Sequence, residues 1–321
     1  MTDTLPILDM SALNAGEPGA IVALARQIGE AARGIGFFYV TGHGIAPEAL
    51  SRVFAESARF FDLPLAEKEK ASITLSKHNR GYVAMKGESL DPTKPADLKE
   101  AYNVGFDLAP DDPRVIGGEP FRGVNLWPEV PGWRETMLGY FDAVLKVGQT
   151  LHMAIAEDLG LPRDFFVDKL DEPMATLRLL HYPPQAEVTD SGQIGAGEHT
   201  DYGNITLLLT DEVGGLEVKR RDGGWIPAPV IPGAFVCNIG DCLMRWTNDV
   251  YVSTPHRVVN RTGRERYSIA FFLDPNPDAE VACLPTCVSD DNPARYPPIS
   301  GADYLSERLN ATYSFRQKTP A

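Results

Sequence analysis

After Pro173 the chain breaks into seven short apolar runs separated by turns: ATLRLLHY, NITLLLTD, GLEVK, GWIPAP, AFVCNIGD, HRVVN and YSIAFFL. Val, Ile, Phe and Tyr crowd these runs while Gly, Pro, Asn and Asp bound them, which is the chemistry of strands and their turns. Many short strands without intervening helices must close into a sandwich or barrel, because an open series leaves strand edges and apolar faces uncovered. Number and spacing suit a jelly roll. The expected fold is therefore mainly β with flanking helices around a double-stranded β-helix (jelly roll) core.

The first part of the chain supplies the helices. Residues 5–8 read as a short strand, and Leu24, Ala25, Ile28 and Ala32 repeat at helical spacing until Gly34 and Gly36 end the pattern. FFYV is then strand-like, TGHG is a turn, and Leu50, Val53, Phe54 and Phe61 mark a second helix. Residues 80–122, rich in Gly, Pro and Asp, read as a long irregular region of the kind that covers a site. Met137, Tyr140, Phe141, Val144, Leu145, Leu151 and Ile155 trace one stripe of a long core helix ending near Gly160, and a last helix is expected near residues 302–309. The expected division is a unit of helices and covering loops over residues 1–125, then a backing helix, the jelly roll and the last helix over 126–321.

Composition narrows the function. With 321 residues and 43% apolar content the chain can bury a sizeable core. A formal charge of −14 lacks the basic footprint that phosphate backbones require, so no nucleic-acid partner is expected. The start, MTDTLPILDM, has no basic and apolar signal pattern, and no apolar run reaches membrane-spanning length. The expectation is a soluble cytoplasmic chain without a membrane partner, a monomer by default. Cys237, Cys242, Cys283 and Cys287 are too few and too clustered for a disulfide framework, and read as reduced, buried thiols ahead of a zinc set.

Two segments carry metal chemistry. In His199-Thr200-Asp201, just before NITLLL, residues i and i+2 of an extended chain point to one face, so imidazole and carboxylate can share an ion. His256 opens a later strand-like run and can complete the set if the two segments are neighbours across the jelly roll. Two histidines and one carboxylate leave open positions opposite, as in non-haem iron oxygenases. Zinc fits the same groups, but HExxH and a paired Cys set are absent. His43, His78, His152 and His181 are read as structural.

A second cluster suits an anion. Arg266 and Ser268 share a face of the strand that continues as SIAFFL, offering a guanidinium fork and a hydroxyl to a carboxylate. Arg178 and Tyr182 share a face by the same parity, with Tyr182 placed to meet a co-substrate and Arg178 a substrate. Core packing for Tyr182 and an ordinary ion pair for Arg178 remain open.

The ordered series LPILDMSAL, IGEAARGIGFFYVTGHGI, GEHTDYGNITLLL, GWIPAPVIPGAFVCNIGD, RWTNDVYVSTPHRVVN and RERYSIAFFLDPN resembles the isopenicillin N synthase-like family of iron(II), 2-oxoglutarate-dependent dioxygenases over nearly the whole chain. The resemblance implies a catalytic triad of His199, Asp201 and His256 holding Fe(II), with Arg266, Ser268 and Tyr182 holding 2-oxoglutarate. Residues 1–125 then correspond to the family's N-terminal domain. Leu180 stands where plant members carry asparagine, which points to a bacterial or fungal branch. The implied reaction consumes O2, decarboxylates 2-oxoglutarate to succinate and CO2, and hydroxylates or desaturates a small organic substrate. Tyr82, Glu100, Tyr102, Asn103, Arg178 and Phe272 are the substrate-pocket candidates, and Glu100 with Arg178 would suit an amino-acid-like or otherwise polar substrate. The alternatives are a related oxidase that does not use 2-oxoglutarate, an ethylene-forming type, or a metal-binding jelly roll without redox chemistry.

Overall fold

The apolar runs become strands β1 (Ile7–Asp9), β2 (Phe37–Thr41), β3 (Gly81–Val83), β4 (Glu100–Gly105), β5 (Thr176–Tyr182), β6 (Ala196–His199), β7 (Ile205–Thr210), β8 (Leu216–Lys219), β9 (Trp225–Pro227), β10 (Phe235–Ile239), β11 (His256–Val258) and β12 (Arg266–Leu273). The structure is a computed structural model that describes residues 4–88, 97–184 and 195–312. One sheet has eight strands in the order β1-β2-β10-β7-β12-β5-β4-β3, and a second has four in the order β6-β11-β8-β9. All pairings in both sheets are antiparallel apart from β1 with β2. The two sheets face each other as the expected jelly roll, with Phe37, Leu180, Val236 and Ala270 of the larger meeting Leu216, Val218 and Val258 of the smaller.

Strand parity divides the larger sheet into two faces. On β12 the odd residues Ile269, Phe271 and Leu273 join the core under the helices, while Arg266, Ser268, Ala270 and Phe272 line a cavity between the sheets. The helix Trp133–Asp158 backs the odd face as its stripe predicts, burying Met137, Tyr140, Phe141, Val144, Leu151 and Ile155. Phe141 meets Phe271 edge to face at a centroid distance of 5.0 Å. Each such side chain, fully buried, contributes about 1.5–3 kcal/mol. The helices Ala20–Gly34 and Pro47–Phe61 lie where the periodicity places them. Gly36 ends the first with φ of 70°, and a Cβ there would come within 2.2 Å of the Val252 carbonyl.

Two expectations are corrected. The region 80–122 is less irregular than its composition suggests, because residues 81–83 and 100–105 form β3 and β4 at the end of the larger sheet. β4 is buried throughout, so it lacks the polar alternation that marks a half-exposed strand. Residues 89–96 of that region lie outside the described residues. A short helix, Asp241–Trp246, also interrupts the β-rich half between β10 and β11.

The cysteines are free, with Cys237, Cys242 and Cys287 buried and Cys283 partly so. His152, inside the long helix, is buried, with Nδ1 at 2.8 Å from the Gly148 carbonyl oxygen and Nε2 at 3.4 Å from Asn204 Nδ2. Burial pulls its imidazole down to about 4, against the raising effect of the Gly148 hydrogen bond. Its unfolded value lies near 6.5, so the neutral ring's contribution is complete above that pH and is lost as pH falls toward 4. Over that window the folded state should lose on the order of 3 kcal/mol to this residue. Urea unfolding across pH 4–7 should show a shallower decline in H152N than in wild type; parallel declines would contradict this. Among the described residues no helix is long and apolar enough to cross a membrane.

Candidate metal and co-substrate site

β6 and β11 are paired so that His199 lies directly opposite His256. Opposed residues of an antiparallel pair share a face, which brings the imidazoles to a centroid distance of 4.3 Å. Asp201 follows the end of β6, and its Oδ1 lies 3.8 Å from His199 Nε2 and 3.6 Å from His256 Nε2. One ligand atom from each of the three lies within 4.8 Å of the others, the one such group among the described residues. His43, His78, His152 and His181 are outside it.

The surroundings fix which atoms face the centre. His199 Nδ1 lies 2.7 Å from the Gly197 carbonyl oxygen and His256 Nδ1 lies 3.2 Å from that of Thr254. A carbonyl only accepts, so each Nδ1 carries the proton and each Nε2 keeps its lone pair. Thr206 Oγ1 and Asn238 Nδ2 donate to Asp201 Oδ2 at 2.6 and 2.8 Å, leaving Oδ1 toward the histidines. The Asp241 amide anchors the Asp201 carbonyl at 2.8 Å, and Thr200 donates to the Asp241 carboxylate. Burial, with His256 beside it, holds the His199 imidazole well below its ordinary value. Burial raises the Asp201 carboxyl, but the two imidazoles and the Thr206 and Asn238 hydrogen bonds outweigh it and keep the group ionised. Two imidazole nitrogens and one carboxylate oxygen are a donor set that fits a divalent iron.

Arg266 is fully buried. Its Nε donates to the Gly214 carbonyl, Nη1 donates to Ser268 Oγ at 3.0 Å, and its carbon centre lies 4.6 Å from the Tyr182 ring centroid. Nη2 has no hydrogen-bond partner. A buried guanidinium with one N–H group unmet and a serine hydroxyl beside it fits a carboxylate. Arg266, Ser268, Tyr182 and the three-residue cluster all line one cavity, with Leu180 on its wall.

The substrate-pocket candidates divide by parity. Arg178 and Phe272 line the cavity, but Arg178 Nη2 lies 2.7 Å from Glu88 Oε2, in a buried group with Lys99 and Asp97. Tyr82 and Tyr102 face the helices, packed around Phe60. Glu100 Oε2 accepts from Lys68 and Tyr82, and its Oε1 lies 2.7 Å from His181 Nδ1, so it closes a buried network on that side. These three are corrected. Asn103 shares the Arg178 face but is not on the cavity wall, and its amide donates to the Asn79 carbonyl. The sequence reading missed Asn79, Arg80 and Asp274 as cavity residues, and Thr206 and Asn238 as partners of Asp201. Asn238 within the apolar FVCNI, and Asp274 on the same parity as Arg266, were the available signals.

A family model described as the non-haem dioxygenase in morphine synthesis N-terminal matches residues 5–130, and one for the 2OG-Fe(II) oxygenase superfamily matches 173–275. A 2-oxoglutarate-Fe(II) type oxidoreductase of Emericella nidulans is 38% identical, covering 96% of this chain and 90% of the relative. The homoarginine-6-hydroxylase 2-ODD-233 of Oryza sativa is 35% identical, covering 95% and 96%. The crystal structure of a full-length Neurospora crassa protein in complex with alpha-KG and thymine matches with a TM-score of 0.85 and 35% identity, covering 96% of this chain and 97% of that one. The cluster, the buried arginine and these likenesses together place the chain in the 2OG-Fe(II) oxygenase superfamily, as a non-haem oxygenase dependent on Fe(II) and 2-oxoglutarate.

Proposed function

We propose that His199 Nε2, Asp201 Oδ1 and His256 Nε2 hold the iron, and that Arg266 and Ser268 hold the distal carboxylate of 2-oxoglutarate. The observation that carries this is the unmet Arg266 Nη2, buried on the wall of the cavity that holds the cluster. Tyr182 assists by supporting the guanidinium with its ring. Leu180, paired with Ser268 across β5 and β12, adds no polar contact, so the arginine and serine carry the recognition.

When bound, iron and 2-oxoglutarate supply the oxidation of a substrate C–H bond, coupled to release of succinate and CO2. The chain's own part is orientation. Gly197 and Thr254 lock the histidine tautomers, Thr206 and Asn238 turn the Asp201 carboxylate, and the apolar walls of β8 and β12 limit water. The substrate is a small molecule, and we infer a polar one from the charged groups along the cavity. Hydroxylation is the favoured outcome, in keeping with the rice homoarginine-6-hydroxylase.

Anaerobic loading with iron(II) followed by desalting should leave about one iron per wild-type chain and almost none in Asp201→Ala. Equal iron in the two would contradict the ligand assignment.

A further inference from the structure

Along β12 the cavity face runs Arg266, Ser268, Ala270, Phe272 and on to Asp274, so the wall has two polar ends. The Arg266 end is opposite Tyr182 on β5, and the Phe272 end is opposite Thr176. Thr176 in turn pairs with Gly105 of β4. Over that glycine lies a second guanidinium: a Cβ on Gly105 would come within 1.7 Å of Arg80 Cζ. Arg80 lines the same cavity, is 1% exposed, and has no hydrogen-bond partner at Nε or Nη2. Those two nitrogens form one side of the guanidinium, the fork that takes a carboxylate in two parallel hydrogen bonds.

The charge around Arg80 also calls for an anion. Burial, with Arg122 opposing and Asp274 favouring its charge, brings its guanidinium down to about 10, so it stays cationic at neutral pH. Arg122 is buried as well, and its Nη1 has no partner. Glu172, Asp278 and Glu119 favour the charge of Arg122, whereas Asp274 is the carboxylate that favours the charge of Arg80, whose Nε and Nη2 stay buried and unmet. Arg178 cannot fill this role as it stands, because Glu88 already holds it at 2.7 Å. Beside Arg80, Asn79 also lines the cavity with its Oδ1 unpartnered.

We propose that Arg80 anchors the substrate, which is a small organic acid whose carboxylate meets the Nε and Nη2 edge. Asn79 and Asp274 then face the atoms next to that carboxylate and accept hydrogen bonds from an N–H or O–H group there. The body of the acid lies along Phe272 toward the His199, Asp201 and His256 cluster. The inference rests on assigning the Arg266 end to 2-oxoglutarate, since that leaves the Arg80 end for the second ligand.

The test uses anaerobic protein saturated with iron(II) and 2-oxoglutarate, titrated calorimetrically with benzoate, phenylacetate and 3-phenylpropionate and with the matching amides. At least one acid should bind wild type ten times or more tighter than its amide. Arg80→Gln should lose that preference, and Arg80→Lys should keep part of it. Both variants should retain the visible band of the iron and 2-oxoglutarate chelate, which a general disruption of the cavity would not allow. Equal binding of acids and amides, no binding of any acid, or an undiminished preference in Arg80→Gln each overturns the proposal. A wild type that forms no chelate band counts against the Arg266 assignment instead, and the calorimetry still reads Arg80.

Discussion

His256→Ala is expected to abolish turnover while leaving the fold intact. The imidazole stands opposite His199 on paired strands, with Nε2 toward Asp201 Oδ1 and Nδ1 fixed by the Thr254 carbonyl. Alanine removes one of the three proposed ligand atoms and its oriented lone pair together. Oxidation of a small substrate should fall by at least about a thousandfold, equivalent to about 4 kcal/mol in the barrier. The structural loss is smaller. His256 sits at a cavity wall, with Phe37 edge-on at 5.2 Å as its aromatic neighbour, so unfolding stability should change by about 1 kcal/mol. Substrate-dependent succinate release and a thermal unfolding curve separate the two effects. A variant that folds and turns over at the wild-type rate would exclude His256 as a ligand.

The second large effect is on the co-substrate. Arg266→Ala removes a fully buried guanidinium whose Nε and Nη1 are committed to Gly214 and Ser268 and whose Nη2 is unmet. Truncating one partner of a buried, hydrogen-bonded charge pair costs about 2–5 kcal/mol in affinity, roughly thirtyfold to several thousandfold in Kd for 2-oxoglutarate. Arg266→Lys should recover little, since an ammonium keeps the charge but loses the fork and the stack on Tyr182. The variant should still bind iron, because Arg266 donates to none of the three proposed ligands. An unchanged 2-oxoglutarate affinity in Arg266→Ala would move the co-substrate elsewhere in the cavity.

The site's chemistry was legible in the sequence where it depended on residue type and i, i+2 spacing. Arg266 and Ser268 share a face because they are two apart on one strand, and the structure joins them at 3.0 Å. His199 and Asp201 come together although β6 ends at His199, because the Asp241 amide and the Thr206 and Asn238 side chains hold Asp201 in place. What failed was parity in β4 and β3. A shift of one residue sends every side chain to the other face, and nothing local in EAYNVG says which face meets the cavity. Tyr82, Glu100 and Tyr102 therefore pack under the helices. Arg80 was invisible for a related reason: it precedes a three-residue strand, and its burial is decided by Gly105, distant in the chain.

The fold followed the same logic. A long stripe such as Met137 to Ile155 carries its period within itself, and a run such as YSIAFFL is marked by its β-branched and aromatic residues, so helix and strand could be read directly. β4 could not, since Glu100, Asn103 and Gly105 break up its apolar run and burial on both faces leaves no alternation to read.

One cavity is proposed to bind iron at His199, Asp201 and His256 and 2-oxoglutarate at Arg266. The most direct measurement is an anaerobic titration of metal-free protein with iron(II) and 2-oxoglutarate, following the visible charge-transfer band of the chelate in wild type, His199→Ala and Arg266→Ala. A band in wild type that is lost in His199→Ala, and that needs far more 2-oxoglutarate in Arg266→Ala, is the predicted result. No band in wild type at saturating ligand, or equal bands in all three proteins, would contradict it.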